Sequence, residues 1–311
     1  MSEIADQYRR FKEVGGVADL SDRVKLRLTG ADRVRYLNGQ VTANVQKLPI
    51  GETRPACVTT AKGRLCADVF IHATVDALFI DADAAVRETL PPRLERYIIS
   101  DDATLDDVSD DLCLLHLLGT AADHPGLRET AIVFSSANRL GRPGFDAWLS
   151  ADECERVRAD LFAHFPLIDE QHAESLRIEA GVPRWGHDLD ENTLPPEAGL
   201  ERTHIDYAKG CYIGQEVISR LKSIGHVNRR LVGFTASGID PLQPRMRLFS
   251  PGENSAEIGT LTSVGWSFAL EKPVALGYLK RGSPMGELLA REAGDSGPGR
   301  TVFAQELPLI S

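Results

Sequence analysis

The run Lys209-Gly-Cys-Tyr-Ile-Gly-Gln-Glu216 places an amine, a thiol, a phenol, an amide and a carboxylate within eight residues. Its two glycines, four apart, permit positive φ or close backbone approach, and the residues after Gly214 read as a helix start. Cys211 is then expected near the positive end of a helix and two residues from Lys209, and both influences favour thiolate over thiol. The alternative is that Cys211 is one more small buried hydrophobe, as free cysteines often are, and spacing does not separate the two readings. In Leu176 to Ala180 apolar residues alternate, so a strand here points Arg177 and Glu179 the same way. Glu179 then either accepts paired hydrogen bonds from a planar donor or forms a surface pair with Arg177 worth ~0–1 kcal/mol. Gln40, Thr42 and Asn44 follow a short helix, where turn and capping roles compete with ligand contacts. Arg64, Arg220 and Lys222 are cations for an anion or merely solvated charges, and Trp185 and Tyr212 are stacking faces or core.

The elements that must position these groups can be read from periodicity. Val24 to Leu28 alternates as a half-buried strand, and Thr29-Gly-Ala-Asp32 resembles a capping box before a short helix face at Val34 and Leu37. Ala67–Ile71 and Leu78–Ile80 read as a hairpin, and helices are expected over Ala84–Leu90 and Pro92–Tyr97. An acidic stretch at 106–111 marks a boundary, followed by strands at Leu112–Leu118, Ala131–Phe134 and Phe145–Leu149. Val157, Leu161 and Phe165 give Asp152–Phe165 the spacing of an amphipathic helix. This order suits a ferredoxin-like α+β unit. Beyond Arg230, short strands at 231–234, 246–249, 258–262 and 274–279 alternate with Gly and Pro, as in a small β-barrel or sandwich, and Gly294–Arg300 reads as a flexible loop.

The 311 residues are 42% hydrophobic and 26% charged, as in an ordinary globular protein, with a net charge of −10. That balance argues against binding a nucleic-acid duplex, which leans on many basic contacts to phosphate. No leader peptide or membrane-spanning run is read, and the expectation is a cytoplasmic protein. The five cysteines are odd in number and form no C-x-x-C pair, and no two histidines form H-x-x-x-H. Reduced thiols and no metal site are therefore expected.

Lys209 to Glu216 resembles the K-G-C-[FY]-x-G-Q-E signature of the YgfZ-type folate-binding family, within the glycine-cleavage T-protein (aminomethyltransferase-like) superfamily. Leu28-Thr-Gly-Ala-Asp32 with Leu37 to Asn44, Lys62-Gly-Arg-Leu65 with Asp68, Leu176 to Gly181, and Leu194 to Leu200 resemble further family segments in the same order. The resemblance implies an α+β, three-domain, T-protein-like ring around a central channel, with ferredoxin-like domains and a small C-terminal β-barrel. It divides the chain into a discontinuous folate-binding domain (1–107 and 167–228), a ferredoxin-like domain (108–166) and a barrel (229–311).

The cofactor so implied is tetrahydrofolate or a one-carbon derivative, with Glu179 on the pterin edge and Arg177, Tyr212, Gln215, Asn44, Gln40 and Arg220 around it. Cys211, Lys209 and Asp68 are implied for chemistry. T-protein enzymes carry an Asp-Asp pair where this chain has Ala67 and Asp68. The first expectation is accordingly a folate-binding protein that supports assembly or repair of iron–sulfur enzymes, including tRNA-modifying ones, with iron–sulfur proteins or assembly factors as partners. The alternatives are a folate-dependent aminomethyltransferase or related demethylase, and a non-catalytic scaffold.

Overall fold

The computed structural model describes residues 2–223, 225–252, 256–294, 297 and 299–310. The chain opens with helix α1 (Ser2–Val14) and strand β1 (Gly16–Asp19). Next come β2 (Val24–Thr29), α2 (Arg33–Gln40), β3 (Thr53–Thr59), β4 (Leu65–Ala73), β5 (Leu78–Ala82), α3 (Leu90–Glu95) and β6 (Thr104–Asp107). The five strands β2 to β6 form one antiparallel sheet in the order β3-β4-β5-β2-β6. Strand alternation gives this sheet two unlike faces. Leu26, Val58, Ala67, Val69 and Ile80 form an apolar core with Leu37 of α2 and Leu90 and Leu94 of α3. The opposite face carries Cys57, Asp68, Phe70, His72 and Asp81.

Two local expectations change here. Thr29 ends β2 and does not cap α2, which begins only at Arg33, and the Asp32 carboxylate accepts from the Asp102 amide and meets Arg35. Pro91 and Pro92 do not separate two helices: they lie in the first turn of α3, where a missing N–H costs nothing, and Ala84–Val86 is only a 3-10 turn.

The second sheet is built from β1 with β7 (Leu112–Leu118), β8 (Val133–Ala137) and β9 (Gly144–Ser150), in the order β1-β7-β9-β8. The division expected at residue 107 therefore cuts across this sheet, because Val17 of β1 shares a core with Leu115 and Leu117 rather than with the first sheet. Between β7 and β8 lies the short helix α4 (Leu127–Thr130), and after β9 runs α5 (Ala151–His164). Ser150 caps α5 at the Glu153 amide, and Val157 and Leu161 face inward as their spacing required. Cys113 on β7 and Cys154 on α5 meet across this core with Cα atoms 6.2 Å apart and are disulfide-bonded. That corrects the expectation of uniformly reduced thiols. The two residues are 41 positions apart with no motif to pair them, and only the docking of α5 brings them together.

The sheets face one another through Phe79, Leu114, Val133 and Trp148. Beside this apolar contact lies a buried charge network with half-buried Arg23 at its edge. Asp81 accepts two hydrogen bonds from Arg139 (2.9 and 2.6 Å), one from Arg23 (2.5 Å), and contacts His72 (3.2 Å). Asp146 receives Arg139 Nε at 2.9 Å and faces His116 Nδ1 at 2.8 Å. Despite burial, the adjoining guanidiniums hold Asp81 well below the usual carboxylate range and Asp146 at about 2.

Helix α6 (Glu170–Ala180) packs on the last domain. The strand expected over Leu176–Ala180 is thus a helix, started by the Asp169 side chain on the His172 amide and ended by Gly181 at φ 76°. After α7 (Gln215–Ser223), strands β10 (Arg229–Ala236), β11 (Arg247–Phe249), β12 (Glu257–Ser267), β13 (Lys272–Lys280), β14 (Gly286–Arg291) and β15 (Arg300–Gln305) close a barrel in the order β10-β13-β12-β11-β14-β15. Val232, Phe234, Leu248, Leu261, Leu288 and Val302 fill it. Periodicity gave four of these strands. Of the loop expected over 294–300, residues 295, 296 and 298 lie outside the described residues.

Candidate active site

The Lys209–Glu216 run acts first as a bracket. Lys209 is buried, and its ammonium donates to the carbonyls of Asn38, Val41 and Ala43 at 2.6, 2.7 and 2.6 Å. It pins the end of α2 and the loop after it, and is not turned on Cys211. Burial pulls the amine down to about 8. Gly214 has φ +90°, and a Cβ there would meet Thr60 O at 2.6 Å, so this glycine lets the run close against the β3–β4 turn. Gly210 has open space around it. Thr59 Oγ1 donates to Ile213 O at 2.5 Å on the same side. Helix α7 begins only at Gln215, leaving Cys211 four residues ahead of it. Cys211 is an exposed free thiol, so the expected setting of ammonium plus helix end is not assembled around it, and neither is the buried-hydrophobe alternative.

What the bracket does deliver is Tyr212, which is buried and whose hydroxyl has no hydrogen-bond partner among the described residues. It joins a polar cluster on the open face of the first sheet. Asp68 on β4 lies opposite Cys57 on β3. Burial raises the Asp68 carboxyl, with Arg23 the opposing positive charge. Arg23 stands 5.8 Å from the Phe70 ring, and His204 meets Phe70 edge-on at 6.4 Å. Burial pulls His204 down to about 4, so its imidazole is neutral at ordinary pH. Tyr207 and Tyr212 both lie within electrostatic reach of Cys57, and Glu201 within reach of Tyr207. Burial lifts the Glu201 carboxyl, and raises the two phenols and Cys57. The segment holding His204 is fixed by Thr42, whose hydroxyl donates to His204 O (2.6 Å) and accepts from the Cys57 amide (2.8 Å).

Three polar atoms of this cluster, Arg23 Nη2, Glu201 Oε2 and Tyr212 OH, are out of solvent with no partner among the described residues. Orphaned donors and acceptors in a native interior call for an explanation, and a ligand or water is one that a cluster of three fits. A polar ligand group fits this donor set: a phenol, a guanidinium and a carboxyl each present an unpaired hydrogen-bonding atom.

Glu179 has other neighbours. It is buried, and its carboxylate accepts from Ser175 (3.1 Å) and Ser267 (2.6 Å). Above it lies Tyr8 of α1, stacked at 5.1 Å on Phe268, its hydroxyl also out of solvent and without a partner among the described residues. Arg177 does not share this face. On a helix, positions two apart diverge, and Arg177 is taken up by Glu174 (2.6 Å), Asp188 (3.0 Å) and Ser263 (2.8 Å). It ties α6 to the barrel and has no capacity left for a ligand.

Gln40 accepts from Arg93 at 3.1 Å inside the first domain. Asn44 makes a local turn with the Gln46 amide (3.1 Å) and lines an open groove with Arg54, Asp206, Tyr207 and Lys222. Arg220 is exposed and paired with Glu216 on α7 at 3.1 Å, while Arg64 caps the Asn192 carbonyl. Gln215 is half-buried at the helix start, its side chain without a hydrogen bond among the described residues. Trp185 packs in two apolar clusters and serves the core. Arg23, Cys57, Phe70, Glu201, His204 and Tyr8 were not singled out from sequence. Each looks ordinary in its own segment, and only sheet pairing and the closed loop bring them together.

Residues 1–125 match the GCVT N-terminal domain, and residues 229–303 match the Glycine cleavage T-protein C-terminal barrel domain. The chain is 28% identical over 311 residues to the mitochondrial aminomethyltransferase of Solanum tuberosum, covering 90% of this chain and 76% of that protein. It is 24% identical over 302 residues to the aminomethyltransferase of Streptomyces avermitilis, covering 88% and 80%. The fold is that of the glycine cleavage system aminomethyltransferase T from Bartonella henselae, with a TM-score of 0.82 at 20% identity over 95% of this chain and 86% of that one. With an N-terminal domain and a closing barrel of the same kind in the same order, the chain belongs to the T-protein-like superfamily.

Proposed function

We propose that this protein is a folate-dependent one-carbon transferase of the aminomethyltransferase kind. The observation that carries this reading is the orientation of β4. Ala67, which stands where T-protein enzymes have one of two aspartates, is fully buried in the apolar core of the first sheet. Asp68 faces the other way, into the cluster of Cys57, Arg23 and the phenols. The carboxylate that the site face can present is therefore present, and the missing one would point away from it. This reverses the weight that Ala67 carries in the sequence.

In the transfer an aminomethyl group arrives on a sulfur carrier and tetrahydrofolate accepts its carbon. The C–S bond breaks with the pair returning to sulfur, two C–N bonds form to folate nitrogens, and ammonia leaves. No oxidant is needed. Glu179 anchors the pterin edge, supported by its burial and by the unpartnered Tyr8 hydroxyl beside it. Asp68, raised toward neutrality, exchanges protons with the reacting nitrogens. Neutral His204 and the phenols exclude water and donate without competing charge. Product analysis after mixing the protein with tetrahydrofolate and an aminomethylated lipoyl carrier tests the reading.

A second reading keeps one specific support. Cys211 is exposed within an unbroken K-G-C-Y-x-G-Q-E run, which suits a thiol offered to a partner protein. In that reading folate binding serves the assembly or repair of iron–sulfur enzymes. Failure of carrier turnover with retained folate binding, together with loss of cellular iron–sulfur enzyme activity in Cys211→Ser, favours it.

A further inference from the structure

A second cluster able to hold a ligand lies outside this site, on the outer surface of the second domain. Asp160 and His164 are four apart on α5, one helical turn, and so share a face. His124 reaches the same face from the turn between the 3-10 segment Gly119–Asp123 and α4. Its Nε2 is 3.3 Å from Asp160 Oδ2, and His164 Nδ1, which donates to the Asp160 carbonyl at 2.8 Å, is 3.6 Å from Asp160 Oδ1. One ligand atom from each of the three residues lies within 4.8 Å of the others. Bonds of ~2.0–2.2 Å in a tetrahedral site put donor atoms roughly 3.3 Å apart. Rotation of the exposed Asp160 and His164 side chains, with the His164 ring leaving the Asp160 carbonyl, closes the difference.

We propose that His124, Asp160 and His164 form a surface site for a divalent transition metal. Two imidazoles and one carboxylate select Zn²⁺, Co²⁺, Ni²⁺ or Cu²⁺ over Ca²⁺ and Mg²⁺, which prefer all-oxygen shells. A cavity of about 60 Å³ beside His124 and Asp160, lined also by Gly126, Thr130 and Arg156, leaves room for water next to these two ligands. Two guanidiniums at this surface are engaged elsewhere. Arg156 is held by Glu153, and Arg10 donates to the His164 carbonyl rather than its ring. The expectation of no metal site rested on the absence of H-x-x-x-H, and the pattern here is Asp-x-x-x-His on one helix with its third ligand 36 residues upstream of Asp160. A bound metal would staple the end of α5 to the loop before α4, independently of folate chemistry.

The test is calorimetric titration of the metal-free full chain with zinc chloride, above the ordinary histidine pKa of about 6.5. The free thiols are alkylated first, because exposed Cys211 could itself take zinc. The wild type should show one saturable site, absent in His124→Ala and in Asp160→Asn, while circular dichroism and folate binding stay unchanged. With Cu²⁺ in place of zinc, the paramagnetic resonance spectrum should show two imidazole nitrogens in the wild type and one in His164→Gln. No saturable uptake by the wild type, or uptake equal in all variants, overturns the site.

Discussion

Ala67 and Asp68 are neighbours on β4 that face opposite sides of the first sheet, one sealed in its apolar core and the other opposite Cys57 in the polar cluster. Asp68→Asn should leave the unfolding midpoint close to wild type and slow carbon transfer by ~10²–10⁴-fold, the usual worth of positioned acid–base help. Ala67→Asp should add no activity and destabilise the fold, since a lone carboxylate enters an apolar core. Steady-state rates and denaturant unfolding of both variants check this. A stable, faster Ala67→Asp enzyme would contradict the orientation argument.

Lys209 acts on the backbone, not on Cys211. Lys209→Met removes three charge-assisted hydrogen bonds and leaves the carbonyls of Asn38, Val41 and Ala43 buried. A loss of about 3–5 kcal/mol in urea unfolding is expected, the size seen when a buried charged contact is broken. A change under ~1 kcal/mol would show that water takes over those carbonyls.

The Arg139 network makes the interface of the two sheets acid-sensitive within a definite window. An unfolded aspartate titrates near ~3.9, whereas in the fold Asp146 lies at about 2 and Asp81 is also held well below the usual range. Folded carboxylates with depressed values contribute stability that is present above pH ~3.9 and lost as pH falls through their folded values. Asp146→Asn should flatten the acid limb of a stability–pH curve and lower stability at neutral pH. An unaltered limb would mean that other carboxylates set acid unfolding.

Cys211 is the exposed free thiol, whereas Cys57 is buried and Cys66 is half-buried with its thiol raised by burial. Iodoacetamide at neutral pH should label Cys211 first by mass spectrometry, through access alone. Prior labelling of Cys66 would show that the β3–β4 edge opens more readily than the structure implies.

Much of the framework was legible in sequence because it rests on local periodicity: the β4–β5 hairpin, α5 and four barrel strands follow from apolar spacing. Leu176–Ala180 misled because five alternating residues suit a strand as well as one and a half helical turns, and only the Asp169 cap and Gly181 stop decide. The site was half legible. Asp68, Tyr212 and Glu179 carry a segment-level signal, whereas Arg23, Glu201 and His204 acquire meaning only where distant segments meet. The segment that marks Arg177 also supplies Glu174 as its partner, a pairing that alternation alone does not reveal. The Cys113–Cys154 bond has no sequence signature at all.

The most direct measurement is single-turnover product analysis with excess protein, tetrahydrofolate and a carrier bearing a carbon-13-labelled aminomethyl group. Methylenetetrahydrofolate carrying the label, with one equivalent of ammonia, should form with the wild type and fall by ~10²–10⁴-fold with Asp68→Asn. Label remaining on the carrier with folate demonstrably bound would contradict a transferase and leave the folate-binding accessory reading in its place.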